Sequence, residues 1–391
     1  MMKHIRRILL LFLLIIFSGQ AIAFAEEQSE APVDEMLLED ISFDGIQGYW
    51  NTLVDNYGGY IPELEKTSLY DFIKGNDEFS IKNALAGGLE YLLHEIILNG
   101  KLLGSLILLT LFSVLLQTMH TAFERTTVSK IAYFVVYIIL IFIALNSFYL
   151  AVSYAKDAIG MMSSFMIALI PLVLGLMASF GSVISVSFFS PIVYFLINAS
   201  GILVSNFILP LLFLSAILII VSSLNDNHKV THLADLFRSV GLGTLGVFLT
   251  IFIGVLSVQG AASAIQDGVA MKTAKFVTGN FIPVVGRTFT DAADTVLSAS
   301  LLLKNAVGIV GVAIIIFIAL FPAVKIFAIA LIYKVAAAIL QPIADGPIIT
   351  SLNTISKYIV YILACLLAVS LMFFLAIVII VTASNLTLLL R

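Results

Sequence analysis

The sequence predicts an all-α polytopic membrane protein, and three observations carry that prediction. Hydrophobic residues make up 61% of the 391 and charged residues only 11%, where a soluble domain carries about a quarter charged. The mean hydropathy is +1.11. Eight apolar segments, at 102–119, 131–152, 161–180, 187–204, 207–223, 242–258, 308–324 and 358–382, reach or nearly reach bilayer-crossing length. That length follows from a hydrocarbon layer of ~30 Å and a helical rise of about 1.5 Å per residue. Open sheet edges cannot sit in lipid, so these segments are read as helices. The expected order is a cleaved signal peptide, a small helical exported N-terminal region, about eight transmembrane helices and an amphipathic two-helix connector.

Residues 1–25 read as a secretory signal peptide. Lys3, Arg6 and Arg7 form a basic start, Ile8 to Phe17 a short apolar core, and Ala23-Phe24-Ala25 a small-x-small cleavage site. The apolar core is too short to span a bilayer comfortably. Cleavage places the following region, 26–101, outside the cytoplasm. That region holds 16 of the 24 acidic residues against four lysines, which argues against nucleic acid as its partner. Its first part, to about Asp44, is acidic and loose. Ile46, Trp50, Leu53 and Val54 recur at helical spacing and predict an amphipathic helix over 45–57. Ser68, followed by Asp71 and then Gly75, predicts a short capped helix. Ile81, Leu85, Leu89, Leu92, Leu93, Ile96 and Ile97 fit one face of a third helix, expected to run along the membrane surface into the first span. So short a region buries only a small core by itself, so the membrane or a partner is expected to complete it.

Residues 102–258 contain six of the predicted spans, and 308–391 form a C-terminal membrane region. Within that region 326–341 is interrupted by Lys334 and closed by Pro342, and it reads as a re-entrant or half-span element. Pro171, Pro191, Pro210 and Pro322 fall inside apolar segments, where each removes a helix hydrogen bond. Prolines are ordinarily common in membrane helices, but four together favour a moving or pore-forming core. Lys325 reads as a residue snorkelling from a helix end. Lys334, with apolar neighbours on both sides, is the stronger functional candidate of the two, because charge at mid-membrane faces protein or water. Lysine and arginine counts divide seven against six between the two faces, whether 187–223 crosses twice or once. Charge therefore does not decide which face carries the connector; two crossings would put it outside the cytoplasm.

That connector, 259–307, contains the most informative part of the chain. From 266 to 308 it is a moderately polar island between membrane-length apolar segments, bearing Asp267, Lys272, Lys275, Arg287, Asp291, Asp294 and Lys304. Ile265, Val269 and Phe276 share one helical stripe, and Ala293, Val296, Leu297 and Leu301 another, with FIPVVGRTFTD as the turn between them. These seven charged residues, with Lys334, are the candidate assembly or pore residues.

Motifs for other chemistry are weak. His228 and His232 share a helical face, but Lys229 stands where a zinc protease helix carries its glutamate. The sequence has no phosphate-binding G-x-x-x-x-G-K-[ST] loop and no recognisable nucleophile–base arrangement. Cys365 is the single cysteine, so it forms no intramolecular disulfide. The reading is therefore of a protein with no enzymatic role, no cofactor and no metal.

The stretch DGVAMKTAKFVTGNFIPVVGRTFTDAADTV, followed by SLLLKNAVG, resembles the stage III sporulation protein AE family of endospore-forming bacteria. The signal peptide, acidic exported region and length agree, and Lys272 keeps the charge where the family often has arginine. The resemblance implies a component of the mother-cell membrane around the engulfed forespore, with its N-terminal region in the intermembrane space. It also implies membership of the complex encoded by the spoIIIA operon, with the SpoIIIAA ATPase and ring-forming components as partners. Through SpoIIQ that complex makes a trans-envelope channel, similar to parts of secretion systems, that supports forespore development and late sigma-G gene expression. The competing readings are a self-contained small-molecule permease or an ABC-type permease subunit. An ion-coupled carrier commonly uses Asp, Glu or His inside its spans, and the eight counted spans contain none.

Overall fold

In a computed structural model the backbone is described for residues 43–61, 64, 67–74, 81–122, 127–179, 183–222, 230–281, 285–343 and 347–389. The expected signal peptide and the acidic stretch through residue 42 lie outside these residues. All the described residues belong to one compact unit, Ile41–Arg391. Among them every regular element is helical, as the composition predicts.

Among the described residues, the N-terminal region forms three α-helices. Helix α1 (Asp44–Tyr57) is amphipathic in the expected register: Ile46, Trp50 and Leu53 are buried, while Gln47, Asn51 and Asp55 face outward. A single 3-10 turn (Gly58–Tyr60) follows. Helix α2 (Leu69–Lys74) is capped as expected. The Ser68 hydroxyl accepts from the Asp71 N–H at 3.1 Å and donates to its carboxylate. Helix α3 (Ile81–Leu98) passes beneath the 3-10 turn at Gly87. A Cβ there would lie 2.1 Å from the Tyr60 carbonyl oxygen, so only glycine permits the crossing. The apolar stripe Leu85, Leu89, Leu93 and Ile97 is exposed, while Tyr91 and Glu95 on the other side are buried. An amphipathic helix turned this way presents its apolar face to lipid or a partner.

At Asn99 the chain bends by 45° into α4 (Gly100–Ala122). The remaining helices are α5 (Thr127–Ser179), α6 (Val183–Ile202), α7 (Leu209–Ser222), α8 (Thr231–Phe281), α9 (Val285–Leu340) and α10 (Pro347–Leu389). A π-helical turn, Leu203–Ile208, joins α6 to α7 just before Pro210. A wider turn there suits a position where proline cannot donate to the preceding turn.

Among the described residues, the candidate membrane segments are fewer and longer than the sequence windows predict. Five helices there are long and apolar enough to cross a bilayer: Phe134–Ala178, Ser190–Ser222, Thr231–Ala270, Leu303–Leu340 and Pro347–Thr382. The bent pair α3–α4 makes a sixth if counted as one span. The expected 131–152 and 161–180 are one continuous helix, because the intervening SYAKDAIG, though polar, contains good helix formers. Likewise 187–204 and 207–223 join through the π turn. The half-span reading of 326–341 is also corrected. Helix α9 runs unbroken through Pro322, Lys325 and Lys334 to Leu340, since one proline removes only one helix hydrogen bond.

Helix α9 is the hub: it touches α1, α2, α3, α4, α5, α8 and α10, and it is the most buried of the five candidate spans. Close approach depends on small residues, as in other membrane bundles. A Cβ on Gly308 would lie 2.5 Å from a Val381 methyl of α10, and one on Gly311 2.6 Å from a Leu169 methyl of α5. Buried hydroxyls then tie the helices across the bundle. Tyr137 pairs with Ser351 at 2.7 Å, Tyr333 donates to Ser147 at 2.9 Å, and Ser215 meets Tyr358 at 2.8 Å. Ser356 donates to the Ala330 carbonyl at 2.8 Å.

Candidate functional site

The N-terminal helices meet the bundle at one charged and aromatic junction. From α1, Tyr57 stacks on Phe321 of α9 with ring centroids 3.7 Å apart and planes within 3°. From α3, Tyr91 stands edge-on to Phe321 at 5.1 Å and to Tyr57 at 5.9 Å. One turn beyond Tyr91, the Glu95 carboxylate lies 3.7 Å from the Lys325 ammonium. That ammonium also sits 5.9 Å from the Tyr91 ring centroid and 5.3 Å from that of Tyr154 on α5, within cation–π range. Glu95 further accepts from the Asn99 side chain, at 2.8 Å on its carbonyl and 3.3 Å on its carboxylate. One acidic residue thus holds both the bend between α3 and α4 and a lysine of the hub helix. Burial, with Glu95 close by, pushes the Tyr57 phenol above its ordinary pKa, so it stays neutral beside this pair. A second seat lies further along α5, where Tyr49 of α1 packs edge-on against Phe165 at 5.4 Å.

Of the eight candidate residues, the structure describes the side chains of Lys272, Lys304 and Lys334. The island 266–308 is helical, but not as a separate pair of helices. Its described residues are the end of α8, which runs to Phe281, and the start of α9, which begins at Val285. Lys272 is exposed on α8. Asp267, Lys275, Arg287, Asp291 and Asp294 lie on these two helices, and their side chains are outside the described residues. Lys304 is buried at 1% exposure, with its ammonium donating to the Val381 carbonyl at 2.9 Å. Lys334 is exposed and donates to Asn353 of α10 at 2.9 Å. Lys304 and Lys334 are about 45 Å apart along α9 and share no site. His232 is exposed on the first turn of α8, and His228 is outside the described residues. The Glu95–Lys325 pair was missed by sequence reasoning. Its signals were a carboxylate inside the apolar run LLHEIIL and a lysine three residues after a mid-helix proline.

Residues 64–384 match the model of the family described as stage III sporulation protein AE. The chain belongs to that family. The stage III sporulation protein AE of Bacillus subtilis (strain 168) is 53% identical over 399 aligned positions, covering 100% of both chains. No solved structure matches. The family match takes in α2 to α9, nearly all of α10, and both halves of the Glu95–Lys325 junction, while α1 lies before it. For a stage III sporulation protein AE, the features to explain are therefore the long apolar helices, the charged end of α8 and start of α9, and the junction.

Proposed function

We propose that this chain is an integral membrane core component of the mother-cell side of a trans-envelope channel formed during sporulation, acting by assembly and not by catalysis. In this reading residues 26–101 face the intermembrane space. The SpoIIIAA ATPase and ring-forming proteins of the same complex are its direct neighbours, SpoIIQ is reached indirectly, and the whole supports forespore development and late sigma-G-dependent gene expression. Family membership supports the sporulation role. The observation that carries the assembly role is the outer face of α3, where Leu85, Leu89, Leu93 and Ile97 are 55–77% exposed. In this reading α3 belongs to the exported region, where an apolar stripe needs cover that water does not supply, and protein partners supply it.

The test is isolation of the tagged full-length chain from sporulating cells in mild detergent. Recovery of the ATPase and ring proteins with it is the expected result. A chain that accumulates normally in the membrane yet is recovered alone would overturn the assembly role.

A further inference from the structure

We propose that Glu95 and Lys325 form an opening latch between the N-terminal helices and the Pro322 segment of α9, through which occupancy of the N-terminal region is felt by the bundle. This rests on the assembly reading only for what occupies the region; the latch is argued from geometry. Four features support it. First, an ion pair is a replaceable way to hold such a contact, since apolar residues commonly hold a buried contact as well. Second, at 3.7 Å the pair is in ion-pair contact but too long for a hydrogen bond, and the Lys325 side chain is 29% exposed, so water can enter as it separates. Third, the Glu95 carboxylate that meets Lys325 also accepts from Asn99, so the contact to α9 and the bend between α3 and α4 share one residue. Fourth, Lys325 follows Pro322 by three residues. Proline cannot donate to the Ile318 carbonyl, so α9 bends most easily beside the latch. The flat Tyr57–Phe321 stack on the same turn slides or parts without breaking a directional bond.

The first test needs no sporulation and uses the full chain in isolated membranes. Phe317 lies one turn before Phe321 on the same stripe of α9 and is 3% exposed, while the native Cys365 is fully buried. A Phe317→Cys reporter should react slowly with a maleimide in the parent chain. It should react at least about tenfold faster when Glu95→Gln or Lys325→Met removes one charge. The exchanged pair Glu95→Lys with Lys325→Glu should restore slow labelling, which a generally unfolded variant would not do. Unchanged labelling in the single variants, or an exchanged pair as reactive as they are, overturns the latch. The second test asks whether opening matters. Glu95→Cys with Lys325→Cys should be joined by a short reducible bifunctional methanethiosulfonate reagent that spans the distance the two long side chains cover, which is too great for a direct disulfide. The locked chain, expressed in a Bacillus subtilis strain lacking its own stage III sporulation protein AE, should still recover its partners but lose spore formation until reduced. Normal sporulation of the locked chain would make the pair a static contact and overturn the proposal. Failure of the unmodified chain to sporulate there would count against the proposed function, and the labelling result would still decide the latch.

Discussion

Lys325 and Lys334 sit nine residues apart on α9 and live in different surroundings. Lys334 is exposed and gives one hydrogen bond to Asn353. Lys325 answers a carboxylate whose side chain is only 11% exposed. The reading of the sequence alone ranks Lys334 as the functional residue and Lys325 as a snorkelling one; the surroundings favour the opposite order. Removing one partner of a fully buried pair costs about 3–5 kcal/mol. Lys325 is partly solvated, so about 1–2 kcal/mol is the fitting expectation for Lys325→Leu. Lys334→Leu should stay within about 0.5 kcal/mol, as surface changes do. Thermal unfolding of the detergent-solubilised chain measures both. Equal midpoints for the two variants would show that Glu95 does not depend on Lys325. The pair itself was hidden in the sequence because its members are 230 residues apart and each has an unremarkable local reading.

At the scale of elements, α3 contains its own control. Gly87 and Gly88 are neighbours in one helix, where replacing glycine by alanine ordinarily stabilises by roughly 0.5–1 kcal/mol. At Gly88 nothing lies within 4 Å of an added Cβ, so Gly88→Ala should raise the unfolding midpoint. At Gly87 the added Cβ would meet the Tyr60 carbonyl at 2.1 Å, and backbone cannot swing aside as a side-chain tip does. Gly87→Ala should therefore lower stability by about 1–3 kcal/mol and loosen the 3-10 turn against α3. Similar midpoints for the two variants would mean the crossing is not tight. Elements were legible in the sequence wherever the signal is local. The Ile46, Trp50 and Leu53 stripe and the Ser68 cap were read correctly because period and capping act within a few residues. Helix continuity was not legible, because Lys156 and Asp157 look like a loop in a hydropathy window, yet Ala155, Lys156 and Ala158 are good helix formers that carry α5 through. Nor did Pro322 mark the end of α9, since packing of α9 against its neighbours outweighs one lost hydrogen bond.

For the molecule as a whole, the charged end of α8 and start of α9 are the part whose role is open to test. Five of the island's seven charged residues, Lys272, Lys275, Arg287, Asp291 and Asp294, lie between 271 and 302 on these two helices. Lys272 is exposed on α8, with Lys275 three residues on. If this stretch only joins two helices, reversing these charges should be tolerated, as exposed substitutions usually are within about 0.5 kcal/mol. If it docks against a partner, reversal puts like charge at the interface, which costs several kcal/mol. The assembly reading therefore expects the double variant Lys272→Glu, Lys275→Glu to accumulate in the membrane at the parent level and unfold at the parent temperature. It should nevertheless recover less of its partners and arrest development after engulfment. The measurement is partner recovery and spore yield at matched protein level. Parent-level recovery and normal spore yield would remove this stretch from the docking surface and leave it as a connector.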